Sequence, residues 1–289
     1  MNKSFLFIQN PQAGESSGSE FREAFAQWQK RSAHRAELIQ TSGENDAQMI
    51  REKVKRDRYH SVVAVGGDGT LNLVANACYQ RIEKIAFFPE GSANGMAREL
   101  ALPEEREALF AILEHARTQK CDLLSFDQGP KGIHISDLGL NAELVRDFEE
   151  SEERGMMAYT KNLSRRLAKA QKFKLSLETE RGEEQHEALM VALANARFYG
   201  TGAALNQKGS ISDGLMEVCL LHHIAPFKLA GHFVDMIPDQ SEHMTVHQAR
   251  CVRIEADRAV PFQIDGELMG DVKRLEAKVI PEAFEIYIP

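Results

Sequence analysis

Hydrophobic and polar positions change rhythm along this chain, and the change divides it. Residues 4–9 (SFLFIQ), 36–40 (AELIQ), 61–65 (SVVAV) and 84–88 (KIAFF) are short, mostly apolar runs, as expected of strands buried on both faces of a parallel sheet. Between them the spacing turns helical: Phe21, Ala24, Phe25 and Trp28 share a face within residues 20–35, and residues 46–58 form a second helical stretch. This alternation predicts βαβ units and an open α/β domain. From residue 123 strand-like stretches crowd together, at 123–126, 133–140, 173–178, 188–194, 215–221, 250–255 and 285–288, with helical spacing only at 155–171 and 226–237. They predict a β-rich, mostly antiparallel sandwich. The expectation is two domains, residues 1–124 and 125–289, with the extreme C-terminus free to return to the first. No Pro/Gly/Ser linker separates them, so they should pack closely around a cleft.

Composition narrows the partners. Lys plus Arg number 35 against 43 Asp plus Glu, a net charge of −8, which argues against nucleic acid. Cys78, Cys121, Cys219 and Cys251 lie scattered without a CxxC pair, the pattern of reduced cytoplasmic thiols rather than of disulfides or a zinc site. Neither a signal-peptide core nor an 18-residue apolar window occurs. A cytoplasmic protein that meets membranes at most peripherally is expected.

The chemistry concentrates in a few motifs. Residues 62–77 read VVAVGGDGTLNLVANA: a buried strand enters Gly66, Gly67, Asp68, Gly69 and Thr70, then a helix with Leu71, Val74 and Ala75 on its apolar face. Glycines permit positive φ and close ligand approach, and the helix start offers N–H groups and a positive dipole end to a phosphate. Asp68 would repel phosphate, so it suits a metal, a water network or a substrate hydroxyl. A tight strand-to-helix turn capped by Thr70 is the plainer alternative. Walker A and GxGxxG sequences are absent, so the usual nucleotide fingerprints do not apply.

GGDGT followed by Leu71 and Asn72 resembles the diacylglycerol kinase/sphingosine kinase family of lipid kinases. NAD kinases share it and the phosphofructokinase loop is similar. Residues 88–103 (FPEGSANGMARELALP) separate these alternatives. They resemble the lipid-kinase segment P-x-G-T-x-N-D-F-A-R ending in Leu-Pro, matching at Pro89, Gly91, Asn94, Ala97, Arg98, Leu102 and Pro103. Ser92 replaces Thr, and Gly95-Met96 replaces Asp-Phe. Ser92 also reads as the N-cap of a helix at 93–100. Asn10-Pro11-Gln12-Ala13-Gly14 is similar to the family's NPxSG loop, and Thr41 to a threonine that contacts ATP.

Within residues 195–218, Asn195, Tyr199, Gly200, Gly202, Asp213, Gly214, Leu215 and Val218 follow the family pattern, while Thr201 and Gln207 depart from it. The resemblance implies Mg2+ at Ser210, Asp213 and Leu215, a plausible hard-cation set; an Asp-Gly turn is the alternative. Gln263-Ile264-Asp265-Gly266-Glu267 resembles the terminal DGE motif, whose acid takes the proton of the acceptor hydroxyl. Glu267 is the candidate base and Asp265 the fallback, against the alternative of an Asp-Gly hairpin.

The resemblance thus implies an ATP-dependent lipid kinase with a lipid-kinase/NAD-kinase-like fold and its active site in the cleft. Asn10, Thr41, Gly66, Gly67, Asp68, Gly69, Thr70, Leu71, Asn72, Gly91, Ser92 and Asn94 would hold ATP, and Asp68 would organise Mg2+ or the acceptor hydroxyl. The acceptor would be a diacylglycerol-like or sphingoid/ceramide-like alcohol, met transiently at the membrane; a homodimer is compatible. NAD kinase, or a nucleotide- or lipid-binding sensor motivated by Gly95, Thr201 and Gln207, are the alternatives.

Other features are less specific. Lys161, Arg165, Lys169 and Lys172 recur at helical spacing in a basic stretch, which suits an anionic membrane surface or a solvated face. Phe227, Ala230, Phe233, Val234 and Ile237 form a stripe fit for a lipid pocket or a core. His243 and His247, separated by Met244-Thr245-Val246, read as part of a strand or loop rather than a metal pair.

Overall fold

The computed structural model describes residues 2–14, 18–92, 94–115, 117–150, 170–198, 209–223 and 243–289. It forms two compact units, Met1–Asp122 with Pro281–Pro289, and Leu123–Ile280.

In the first unit the apolar runs become parallel strands β1 (Ser4–Gln9), β2 (Arg35–Gln40), β3 (Ser61–Gly66) and β4 (Lys84–Pro89). Their order is β4-β3-β1-β2. Val62, Val63, Ala64 and Val65 are fully buried, because helices cover both faces of the sheet. On one face α1 (Gly18–Arg31) and α5 (Arg106–His115) pack Phe21, Phe25, Trp28, Leu109 and Phe110 against Phe5, Phe7 and Phe88. Trp28 and Phe110 stack with ring centres 4.9 Å apart. Outside that cluster α2 (Asp46–Arg56) packs on α3 (Asp68–Cys78), which lies on β3. The chain leaves β1 for β2 on one side and β3 sits on the other. At such a switch point the carboxyl ends of the strands open a crevice for ligands.

Two expected helix caps change in this unit. The short helix α4 (Gly95–Glu99) starts after Asn94, so Ser92 is not its cap. The N-cap of α3 is Gly67, not Thr70. A further strand joins from far along the chain: in β13 (Glu267–Tyr287), Glu285 and Ile286 pair in parallel with Lys84 and Ile85. Tyr287 is buried there, its hydroxyl 2.9 Å from that of Ser61.

The second unit is antiparallel. Strands β6 (Ile135–Gly139), β9 (Met190–Ala194), β10 (Met216–Leu221), β11 (Met244–Ala249), β12 (Cys251–Ile264) and β13 take the order β11-β10-β9-β6-β12-β13. The β12–β13 register breaks between Glu255 and Val260. Before the break β12 pairs with β7 (Phe173–Thr179), which pairs with β8 (Gly182–Ala188); after it, β12 pairs with β6. One strand therefore serves two layers, as bulged strands do at sandwich corners. The inner faces enclose Phe173, Leu175, Leu177, Leu193, Val218, Ile254 and Phe262. Strand β5 (Thr118–Phe126) pairs with β13, and α6 (Leu140–Glu150) follows β6 directly.

The expected strand at 188–194 proves to be the end of β8 and all of β9, interrupted at Leu189. The helix expected at 226–237 and its apolar stripe lie outside the described residues, as does 155–171 up to residue 169. No helix among the described residues is long and apolar enough to cross a membrane.

Candidate functional site

Four loops at the carboxyl ends of β1–β4 carry the first unit's motifs, and backbone contacts stitch them together. Asn10 donates its N–H to Val65 O at 2.9 Å, and Thr41 donates to Gln9 O at 2.8 Å. Glu90 donates to Gly66 O at 2.8 Å. Gly14 has φ +72, and a Cβ there would stand 2.2 Å from Glu90 O, so only glycine fits. Arg106 anchors the Glu90 carboxylate from α5 with bonds of 2.7 and 2.8 Å, a bidentate pair.

The glycines of GGDGT are not needed for positive φ, contrary to expectation: none of Gly66, Gly67 and Gly69 has it. Space accounts for Gly66 and for Gly91 of the neighbouring loop, whereas a Cβ on Gly67 would make only ordinary contact, 3.4 Å from Gly91 Cα. A Cβ on Gly91 would lie 2.5 Å from Gly67 Cα, so the two loops touch backbone to backbone. A Cβ on Gly66 would strike the Thr70 hydroxyl at 2.3 Å. Gly69 differs from both: it is exposed and an added Cβ would meet nothing within 4 Å. Nothing in the described protein demands glycine there.

Asp68 lies in the first turn of α3 and spends its carboxylate on the neighbouring loop. It accepts the N–H groups of Gly95 at 2.6 Å and Met96 at 3.1 Å. The opening N–H groups of α4, whose own cap residue makes no side-chain cap bond, are thus satisfied from a residue far back in the chain. Asn94 sits at φ 41, accepts from Gly91 N–H at 3.1 Å and donates to Gly91 O at 2.6 Å. Ser92 is exposed, whereas the Leu71 side chain is fully buried and its N–H bonds Gly67 O. Leu71 therefore contributes packing. Asn72 is bonded by Asn76 Nδ2 at 3.0 Å.

In the second unit, Asp265 and Gly266 form the two-residue loop of the β12–β13 hairpin, with φ 49 and 93. This is the backbone that Asp-Gly favours between strands. The Asp265 carboxylate accepts from Ile133 N–H at 2.7 Å and His134 N–H at 3.0 Å. Gly266 N–H donates to Gln263 Oε1 at 2.6 Å, and Gln263 Nε2 donates to Asp137, which also accepts from Asn141 at 2.6 Å. Asn195 donates to Ile133 O at 2.9 Å. A buried polar network thus sets the turn and presents Glu267, exposed, as the first residue of β13.

At the expected Mg2+ loop, Asp213 Oδ1 accepts Leu215 N–H at 3.0 Å and the Ser210 and Ser212 hydroxyls are 3.3 Å apart. The side-chain donors Ser210 and Asp213 are oxygens on a tight turn, a set that fits a hard cation. His243 and His247 do not pair, since a strand sets residues four apart about 13 Å from one another. Instead His247 meets His186 and Glu184 of β8, a grouping with no signal in linear spacing. Burial, followed by the neighbouring His247, lowers the His186 pKa below its ordinary 6.5. Burial pushes the Cys78 thiol up to about 12, which keeps it protonated.

Two family models match. Residues 4–126 match the diacylglycerol kinase catalytic domain, and residues 136–288 the YegS C-terminal NAD kinase beta sandwich-like domain. The chain belongs to the diacylglycerol kinase/YegS-like lipid kinase family. Curated relatives of this family include a "Probable lipid kinase YegS-like" of Pseudomonas aeruginosa, 26% identical over 296 residues, covering 100% of this chain and 95% of the relative. Another of the same description, from Pectobacterium atrosepticum, is 24% identical over 285 residues, covering 96% and 94%. A crystal structure described as a diacylglycerol kinase from Bacillus anthracis str. Sterne superimposes with a TM-score of 0.74 at 14% identity, covering 100% of this chain and 97% of that one. The lipid-kinase fold is therefore shared in full, with an α/β unit followed by a β-rich one.

Proposed function

We propose that this family member transfers the γ-phosphate of ATP to the hydroxyl of a diacylglycerol-like or sphingoid/ceramide-like lipid. The supporting observation is Gly69, a glycine that its surroundings do not require, at the start of α3. Its open flank suits a phosphate brought against helix N–H groups. Asn10, Thr41, Gly66, Gly67, Thr70, Asn72, Gly91, Ser92 and Asn94 frame that nucleotide site, and Asp68 fixes the loop opposite. Glu267 accepts the hydroxyl proton as the oxygen attacks the γ-phosphorus and the bond to ADP breaks. Asp265 holds the turn that presents it. Ser210, Asp213 and Leu215 would hold a structural Mg2+, and Asp68 would help to orient another; bound with ATP, Mg2+ neutralises phosphate charge.

The test is incubation of the purified chain with labelled ATP, lipid vesicles and NAD together. Label carried by lipid is the expected outcome. Label in NADP alone overturns the reading in favour of NAD kinase, and ATP binding with no transfer overturns it in favour of a sensor.

A further inference from the structure

We propose that Glu184, His186 and His247 form a binding site for a divalent transition ion of the zinc class, which clips together the edge strands β8 and β11. One ligand atom from each residue lies within 4.8 Å of the others. Two imidazoles and a carboxylate are the donors that Zn2+ takes, leaving a fourth position for water. Magnesium, which prefers oxygen, is not a match.

Strand register aims all three side chains the same way. On β8, Glu184, His186 and Ala188 stand opposite Leu177, Leu175 and Phe173 of β7, and opposed residues share a face. Those three β7 residues and Ala188 belong to the enclosed core. On β11, His247 stands opposite the core residue Val218. Both histidines thus point inward from the outermost strands of the two layers. Inside an apolar rim an imidazole nitrogen needs a partner. Among the described residues, His247 Nε2 is sealed from solvent without a hydrogen bond, and His186 Nε2, equally sealed, has the Glu184 carboxylate as its one ion-pair neighbour.

The distances are near those of a metal site. Glu184 Oε2 stands 3.3 Å from His186 Nε2, about the separation of two ligands held ~2.1 Å from a tetrahedral ion. The two histidine rings are 5.6 Å apart, centre to centre. His186 is 85% buried by side chain (15% exposed) and Glu184 is 57% exposed, so the ion would enter from the carboxylate side. His222 braces the site without joining it: its Nδ1 donates to Glu187 O at 2.8 Å, and its Nε2 bonds the Thr245 hydroxyl at 2.9 Å. Its ring lies 6.4 Å from that of His186.

The full chain, stripped with a chelator and titrated with Zn2+ in a calorimeter, should bind one equivalent that His186→Gln and His247→Gln each weaken on the order of tenfold or more. Zn2+ should raise the melting temperature of the wild type and leave those variants unmoved. Co2+ in its place should show the intense visible absorption of a four-coordinate ion. Should either variant fail to fold, imidazole 15N shifts of the wild type decide: Zn2+ must move His186 and His247. Equal affinity in wild type and variants, or shifts confined to His222, His223 or His243, would overturn the site.

Discussion

Asp68 and Asp265 do the same mechanical work in the two units and in opposite settings. Each carboxylate grips two successive backbone N–H groups of a distant segment, Gly95 and Met96 in one case, Ile133 and His134 in the other. Asp68 does so from a helix start without positive φ, between the space-restricted Gly66 and Gly91 loops. Asp265 does so from a left-handed turn, where backbone strain makes the choice. An acidic residue inside a glycine-rich motif is thus first a fastener of loops. The exposed residue beside each fastener, Gly69 next to Asp68 and Glu267 next to Asp265, is the one the proposed reaction would use.

The largest effect should come from separating fastener from chemistry in the second unit. Glu267→Gln should lower the rate of phosphotransfer by about 10²–10⁴-fold, with ATP affinity unchanged. Stopped assays and ATP titration check this; full activity would move the base elsewhere. Asp68→Ala and Asp265→Ala should each destabilise by about 2–3 kcal/mol, since two charge-assisted bonds are lost. Urea unfolding reads that cost, and only Asp68→Ala should also abolish ATP binding.

The sharpest contrast lies between two glycines. Gly91→Ala forces its loop away from Gly67 and should cost about 1–3 kcal/mol of folding stability. Gly69→Ala should instead stabilise by about 0.5–1 kcal/mol, as removal of a helical glycine does, while weakening ATP binding. A loss of stability in Gly69→Ala would show that the open flank is occupied by protein. The smallest effect concerns Glu285, whose pKa is held below 4.5 by the Thr118 hydroxyl and then by Lys84. Its stabilising contribution is present above the ordinary carboxylate value and is lost as pH falls through the lowered one. Glu285→Gln should cost about 0.5 kcal/mol at neutral pH, and the difference should vanish in acid unfolding measured below the folded pKa.

The first unit was legible because its signals are contiguous: buried strands such as Ser61–Gly66 are apolar without interruption, and each loop motif follows its strand directly. The second was legible in class and less so in detail. Strand β8, GEEQHEA, is polar and exposed over most of its length, with only His186 and Ala188 drawn inward, so no apolar rhythm announces it. Most of β13 alternates charged and apolar residues around Pro281, and the expectation caught only its last turns of chain. The partners of Asp68, Asp265 and His247 come from segments that only strand pairing and loop packing bring near, and linear spacing carries no trace of them.

The returning strand imposes an order on biosynthesis. Residues 281–289 complete the first unit, and Tyr287 fills its core. Everything from Leu123 to Ile280 is therefore made while the earlier unit still has an unfilled edge beside Lys84 and Ile85. Although domains commonly finish in the order they emerge from the ribosome, here the later-made unit can close first, before residues 281–289 reach the edge beside Lys84 and Ile85.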